Sequence, residues 1–77
     1  QKALQLQPNE PDLYFDRGVV YFRRNEFGKA LADFDKAVLL KPGNVDFLYN
    51  RGSAKVALQD FEGAIADFKQ CLQMDSR

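Results

Sequence analysis

The sequence repeats with a period of 34 residues, and this period limits the possible folds more than any other feature. Aligning residues 11–43 with residues 45–77 gives eight identities in 33 positions. Most of these identities form two blocks, Arg17-Gly18 with Arg51-Gly52 and Ala32-Asp33-Phe34 with Ala66-Asp67-Phe68. Periods of about 20–50 residues are typical of folds that stack copies of one structural unit. We therefore divide the chain into the end of an earlier repeat in residues 1–10 and two repeats in residues 11–44 and 45–77.

Each repeat contains two helical patterns. The apolar residues of the second pattern recur at steps of three and four, which is typical of one face of an α-helix. They are Phe27, Ala30, Leu31, Phe34, Ala37 and Val38 in the first repeat, and Phe61, Ala64, Ile65, Phe68, Cys71 and Leu72 in the second. Further helices are predicted at about residues 12–24 and 45–58, with a helical stub near residues 1–7. No alternation of apolar and polar residues indicates a β-strand.

The residues between these patterns favour turns and helix ends. Pro11 suits a first helical turn, where its missing N–H costs nothing. Asn44 follows a Pro-Gly pair and can cap the next helix with its side chain. The pairs Asn25-Glu26 and Gln59-Asp60 are short polar joints, which give each repeat the form of a helical hairpin.

The spacing of large and small residues resembles that of the tetratricopeptide repeat, whose unit is a helix-turn-helix of about 34 residues. The first repeat fills eight signature positions, with Tyr14, Gly18, Tyr21, Phe27, Ala30, Phe34, Ala37 and Pro42. The second repeat fills six, with Leu48, Gly52, Phe61, Ala64, Phe68 and Cys71. It departs at Lys55, where an aromatic residue is expected, and at Ser76, where the closing proline is expected. The resemblance implies an all-α fold in which antiparallel helix-turn-helix repeats stack as an α-solenoid.

Small and charged residues predict how the two helices of a repeat pack. We expect Gly18 to face Ala30, and their counterparts in the second repeat to do the same, because the helices must approach closely where they cross. Opposite charges recur sixteen residues apart, as Arg17 with Asp33 and Arg51 with Asp67. We interpret them as structural ion pairs, and the alternative that the two arginines bind a ligand stays open. Lys55 is expected to extend its stem toward water.

In the family that the chain resembles, the first helix of each repeat lines the concave side of the solenoid and contacts ligands. The corresponding positions are Asp12, Phe15, Val19, Phe22 and Arg23 in the first repeat, and Asp46, Tyr49, Asn50, Ser53 and Val56 in the second. These side chains either form a groove for an extended peptide or an amphipathic helix, or pack against neighbouring repeats and thicken the core. We expect a protein-interaction scaffold, with homo-oligomerisation through exposed repeat ends as the alternative.

Some members of this family hold the C-terminal carboxylate of a chaperone peptide with a clamp of lysine and asparagine side chains. Asn50 occupies one clamp position, but the neighbouring positions hold Phe15, Val19 and Asp46. Asp12 and Asp46 would repel a terminal carboxylate, since like charges oppose each other at short range. We therefore expect that partners of this class do not bind to these two repeats.

Composition argues against catalysis, metals, nucleic acids and membranes. The chain has no histidine, which is the commonest general base and metal ligand. Its one cysteine, Cys71, falls on the predicted buried stripe of a helix, so we expect no catalytic residue, metal or cofactor. Eleven basic residues balance eleven acidic ones, which predicts no basic surface for phosphates. No apolar run approaches the roughly 20 residues that span a bilayer.

The ends of the sequence and its single thiol bear on its context. One cysteine cannot form an internal disulfide, so no oxidising compartment is implied, and the compartment stays open with the cytoplasm favoured. The chain begins with Gln1, and no polar capping helix follows Met74. We therefore expect a fragment of a longer protein, with open repeat ends that can pair with further chain or with another copy.

Overall fold

The computed structural model describes residues 10–74, which form four α-helices. They are α1 (Pro11–Arg23), α2 (Phe27–Leu40), α3 (Val45–Ala57) and α4 (Phe61–Met74). Each helix packs against the next one along the chain, and α1 also contacts α3. The all-α prediction is confirmed, and the predicted helix limits are correct to within about two residues. The predicted stub near residues 1–7 and the position of Ser76 lie outside the described residues.

Side chains contribute to three of the four helix starts, and for Pro11 and Asn44 the sequence predicts this role. Pro11 is the first residue of α1. The Asn44 side chain caps α3, because its Oδ1 accepts a hydrogen bond from the backbone N–H of Phe47 at 3.1 Å. Asp60 does the same for α4, where its Oδ1 accepts from the N–H of Gly63 at 3.2 Å. Glu26 precedes α2 without a side-chain hydrogen bond to the helix.

The joints inside the two repeats have the same backbone conformation. Asn25 and Gln59, which are equivalent in the repeat, have φ angles of 65° and 69° in the left-handed region. At the first joint, Glu26 N–H donates to the carbonyl of Tyr21 and Asn25 N–H donates to the carbonyl of Phe22. This is the Schellman pattern, in which a left-handed residue ends a helix and satisfies its last carbonyls. The sequence does not indicate this pattern, since glycine is the usual residue at the left-handed position.

A fully buried cluster of Ala30, Phe34 and Ala54 joins the two repeats. Ala30 and Phe34 lie on α2 and Ala54 lies on α3, so the cluster fixes how α3 packs on the first hairpin. Half-buried residues of α1 and α2 surround this cluster, namely Phe15, Val19, Tyr21, Phe22 and Leu31.

The helices of each repeat pack tightly where a glycine of the first helix meets a phenylalanine ring of the second. A Cβ atom added to Gly18 would lie 2.7 Å from Cε1 of Phe34, and one added to Gly52 would lie 2.7 Å from Cε1 of Phe68. The atoms nearest to the added Cβ of Gly18 belong to Phe34 and Asp33 of α2. Ala30 lies fully buried on the same helix, and its position opposite Gly18 stays a prediction.

We predict that Gly18→Ala lowers the free energy of unfolding by about 1–3 kcal/mol, because the new methyl group overpacks the ring of Phe34. This ring is fully buried and has no solvent to move into. Urea denaturation measures the change. Gly28→Ala on α2 is the matched control, since no heavy atom lies within 4 Å of its added Cβ. It should stay within about 1 kcal/mol of the wild type, and equal losses for both variants would contradict the packing argument.

We also predict that Gln59→Gly raises the free energy of unfolding by about 0.5–1 kcal/mol, because glycine adopts the left-handed conformation without a Cβ clash. Thermal or urea denaturation of the variant tests this. Gln70→Gly, at an exposed site inside α4, should instead destabilise by about 1 kcal/mol. A loss of stability at both sites would show that the backbone at Gln59 is not strained.

Candidate functional site

The ten predicted groove residues lie on α1 and α3, the first helices of the two repeats. We call the surface that they form the leading-helix face. It consists of Asp12, Phe15, Val19, Phe22 and Arg23 on α1, and Asp46, Tyr49, Asn50, Ser53 and Val56 on α3. Because α1 and α3 contact each other, the two halves belong to neighbouring surfaces of the molecule.

The apolar residues of the α1 half are partly used by the core. The ring of Phe15 lies 5.7 Å from that of Phe34 and 4.8 Å from that of Phe47, measured between centroids. Phe22 packs edge-on against Phe27 at 5.1 Å, and Val19 also contacts the core cluster. For Phe15 the packing interpretation from the sequence therefore applies, because the next repeat covers one side of its ring. All three side chains are half-buried.

The α3 half presents its apolar side chains to solvent more fully. Tyr49 is 57% exposed and Val56 is 43% exposed. The Tyr49 ring rests on that of Phe68 at a centroid distance of 5.7 Å, which is the same contact that Phe15 makes with Phe34 in the first repeat. The Tyr49 ring thus packs on Phe68 while more than half of the residue stays exposed, which suits an aromatic anchor for a ligand.

Apart from Arg23, the polar groups of this face are acidic or already hydrogen-bonded within the helix. The Asn50 side chain donates from Nδ2 to the carbonyl of Asp46 at 2.8 Å, and the Ser53 hydroxyl donates to the carbonyl of Tyr49 at 3.1 Å. Exposed carboxylates stand on both helices, at Asp12 and Asp46, and Arg23 is the exposed cation at the end of α1. The surface therefore offers apolar contact and negative charge rather than a set of free amide donors.

The structure brings each predicted arginine and aspartate together as a two-bond ion pair. Arg17 donates from Nε and Nη2 to Asp33 at 2.8 and 2.9 Å. Arg51 donates from Nε and Nη2 to Asp67 at 2.9 and 2.7 Å. Both carboxylates are buried, with side chains only 7% and 4% exposed. These bonds tie α1 to α2 and α3 to α4, so they set the orientation of the helices that carry the leading-helix face.

Sequence reasoning missed two members of this charge network. Arg51 also donates from Nη1 to Oδ1 of Asp35 at 3.3 Å, which links α3 to α2 of the preceding repeat. Lys55 places its Nζ 3.2 Å from Oδ2 of Asp67. The expectation that Lys55 reaches toward water is wrong, because a buried carboxylate without full compensation attracts the ammonium inward. The sequence signal was the lysine at an aromatic position, one helical turn after Arg51.

The ion pairs shift the pKa values of Asp67, Arg51 and Arg17. Burial raises the pKa of the Asp67 carboxyl group, but the hydrogen bonds and charges of Arg51 and Lys55 outweigh burial, so this pKa lies below its usual range. The hydrogen bond to Asp67 raises the pKa of Arg51, and the hydrogen bond to Asp33 raises that of Arg17. Both guanidinium groups therefore stay charged at any working pH.

Sequence models of the tetratricopeptide repeat match residues 11–44 and residues 45–77. The chain belongs to the tetratricopeptide-repeat family. This confirms the resemblance drawn from the signature positions, and it makes the chain a protein–protein interaction module built from non-catalytic scaffold repeats.

A solved structure shows the same arrangement of tetratricopeptide repeats. It is the first TPR of Spaghetti (RPAP3) bound to the HSP90 peptide SRMEEVD, with 32% sequence identity and a TM-score of 0.88. The match covers 96% of this chain and 59% of that chain, so this chain spans less than two thirds of the length of the neighbour. The comparison with curated proteins gives no significant match.

Among residues 10–74, no three His, Cys, Asp or Glu side chains come together as a possible metal site. None of the four helices combines the length and the apolar character that a membrane span requires.

We predict that Asp67→Asn lowers the free energy of unfolding by about 2–3 kcal/mol at neutral pH, because Arg51 and Lys55 lose their shared carboxylate. Urea denaturation measures the loss. Asp16→Asn, at an exposed position on α1, is the control and should change stability by less than about 0.5 kcal/mol.

The same pair of variants tests the ionisation of Asp67. Its pKa is lower in the folded state than the usual value of about 3.9. Its stabilising contribution is therefore complete above about pH 5 and is lost as the pH falls through the folded-state pKa. Unfolding free energies measured from pH 6 to pH 2 should fall more steeply for the wild type and Asp16→Asn than for Asp67→Asn. Parallel curves for all three proteins would contradict the assignment.

Proposed function

We propose that the leading-helix face binds an extended peptide or an amphipathic helix of a partner protein through apolar anchors. The observation that carries this proposal is the exposure of Tyr49 and Val56 on α3. These residues are seven positions apart, so they lie on the same side of the helix two turns from each other. The accessible parts of the half-buried Phe15, Val19 and Phe22 extend the apolar surface across α1.

The chemistry of this face indicates what kind of peptide it takes. An aromatic ring held on a second ring, as Tyr49 is on Phe68, suits a hot-spot contact with an apolar side chain. The acidic groups at Asp12 and Asp46 favour a ligand that carries a basic residue and oppose a free C-terminal carboxylate. The RPAP3 domain binds an HSP90 peptide, which supports peptide binding on this scaffold. We propose that the peptide specificity of this chain differs from that of the RPAP3 domain. The apolar residues Phe15 and Val19 occupy positions at which the carboxylate clamp of the family has polar side chains. In this role the chain acts by binding alone and catalyses no reaction.

We predict that peptides selected on the wild-type chain bind at least about tenfold more weakly to Tyr49→Ala, because the variant removes the exposed anchor. Peptides would be selected from a random display library and their affinities measured by fluorescence anisotropy. Leu39→Ala is the matched control, since Leu39 is an exposed apolar residue on α2 outside this face. Selected peptides that bind Tyr49→Ala as tightly as the control would place their site elsewhere.

The acidic character of the face has its own test. We predict that the peptide SRMEEVD gains nothing from its free C-terminus, so it and its C-terminal amide should bind this chain equally weakly. A marked preference for the free acid in the same anisotropy assay would contradict the charge argument and would support a carboxylate clamp.

Self-association through the repeat ends is the second candidate. Exposed apolar side chains at both ends favour it, with Leu13 on α1 and Phe61 and Ile65 on α4. A shift of one repeat aligns Arg17 with Arg51 and Lys69 with Asp35. If two copies stacked as the two repeats do, Arg17 of one copy would therefore lie beside Lys69 of the other. Because these like charges repel, we propose self-association as the lesser candidate. Sedimentation velocity over a hundredfold range of concentration distinguishes a persistent dimer from a monomer.

A further inference from the structure

We infer that a surface hollow at the junction of the two repeats binds a tryptophan side chain of a partner protein. The hollow has a volume of about 450 Å³ and is open to solvent. It is lined by Asp35, Val38 and Leu39 of α2, Pro42 of the following loop and Arg51 of α3. None of these residues belongs to the leading-helix face, so this site is separate from the peptide site proposed above.

The wall of the hollow is apolar and accessible. Val38, Leu39 and Pro42 supply three of its five lining residues. Leu39 is 72% exposed near the end of α2, while Val38 beside it is half-buried. Sites that bind organic groups are concave and mainly apolar, with a few polar groups that fix the orientation of the ligand. The hollow has this composition, because its other two lining residues are the charged Asp35 and Arg51.

The hollow is particular to this junction rather than a part of every helical hairpin. A shift of one repeat aligns its α2 and loop residues with Lys69, Leu72, Gln73 and Ser76. Only Val38 has an apolar counterpart there, since lysine replaces Asp35 and glutamine replaces Leu39. The second hairpin forms without an exposed leucine and a carboxylate at these places. The hairpin fold therefore does not require Asp35 and Leu39, and a ligand site gives them a role.

The polar end of the hollow contains a carboxylate oxygen that the protein does not use. Arg51 donates to Asp67 at 2.7 and 2.9 Å, but it reaches Oδ1 of Asp35 only at 3.3 Å. The Oδ2 atom of Asp35 accepts no hydrogen bond from residues 10–74, and the Asp35 side chain is 54% exposed. A ligand in the hollow thus meets one available hydrogen-bond acceptor next to a guanidinium cation.

These groups select an indole among the side chains that could enter the hollow. The ring can pack on the apolar wall, its N–H can donate to Asp35, and its π face attracts the charge of Arg51. Phenylalanine would cover the Asp35 carboxylate without supplying a donor, which costs the water that it displaces. Lysine or arginine would compete with Arg51 for Asp35 and would be repelled by the guanidinium charge.

The tryptophan has to come from a different protein. The 77 residues contain no tryptophan, so another copy of them cannot supply an indole. The same fact simplifies detection, because any indole fluorescence in a mixture belongs to the ligand alone.

Two small probes that differ by one methyl group test the inference. N-acetyltryptophanamide carries the indole N–H and no net charge, and its 1-methyl derivative keeps the ring but lacks the donor. Amide chemical shifts of the ¹⁵N-labelled chain are followed up to the solubility limit of each probe. We expect shifts at residues 35–41 and 51 and a dissociation constant on the order of millimolar. The methyl derivative should bind about three- to tenfold more weakly, because it cannot donate to the carboxylate.

Two variants separate the roles of the apolar wall and the acceptor. Leu39→Ala should weaken the binding of both probes, whereas Asp35→Ala should abolish the difference between them. Both positions are exposed, so the variants should keep the fold, and their amide spectra verify this. The matched controls are Leu58→Ala and Asp16→Ala, at exposed sites outside the hollow, which should bind both probes as the wild type does.

The comparison of the two probes on the wild type can overturn the inference without any variant. It fails if the tryptophan probe does not shift residues 35–41 and 51, or if the methyl derivative binds equally tightly. Tighter binding of N-acetyllysinamide than of the tryptophan probe would also overturn it, because the hollow would then select a cation. Tyr49→Ala removes the anchor of the leading-helix face and should leave the binding of both probes unchanged, so the two proposals fail separately.

Discussion

The close contact between a glycine on the first helix and a phenylalanine ring on the second sets the geometry of each repeat. The absence of a side chain at Gly18 lets the ring of Phe34 lie against the backbone of α1, and Gly52 and Phe68 repeat this contact. At that separation a guanidinium group of one helix reaches a buried carboxylate of the other with two hydrogen bonds. The packing of the two helices therefore determines whether the ion pair can form. A wider spacing between the helices would leave the buried carboxylate without a partner.

The features that recur in both repeats could be predicted from the sequence. The features that depend on what surrounds each repeat could not. The four helices, the Asn44 cap and the spacing of each arginine from its aspartate could all be derived from pattern and side-chain chemistry. The ring that meets Gly18 could not, since periodicity places residues on a face but does not fix how far a side chain reaches. Lys55 and Asp35 were missed because their partners lie across a helix or a repeat boundary.

For the leading-helix face, the ten residues could be named from the sequence, but their exposure depends on neighbours that the sequence does not reveal. Phe15 and Tyr49 are equivalent positions, and each lies on the phenylalanine of its own second helix. Only Phe15 also meets a ring from a following repeat. Tyr49 is therefore more exposed than Phe15.

Arg51 has a consequence for how the chain unfolds. In a stack whose units touch only their neighbours, cooperativity is set by the strength of each junction. Here the junction consists of the packing of α3 on α2 together with Arg51, which binds Asp35 of one repeat and Asp67 of the other. Loss of the second hairpin thus removes a cation from the surface of the first. The amide protons of α2 and α3, which form this junction, should accordingly exchange with solvent later than those of α4.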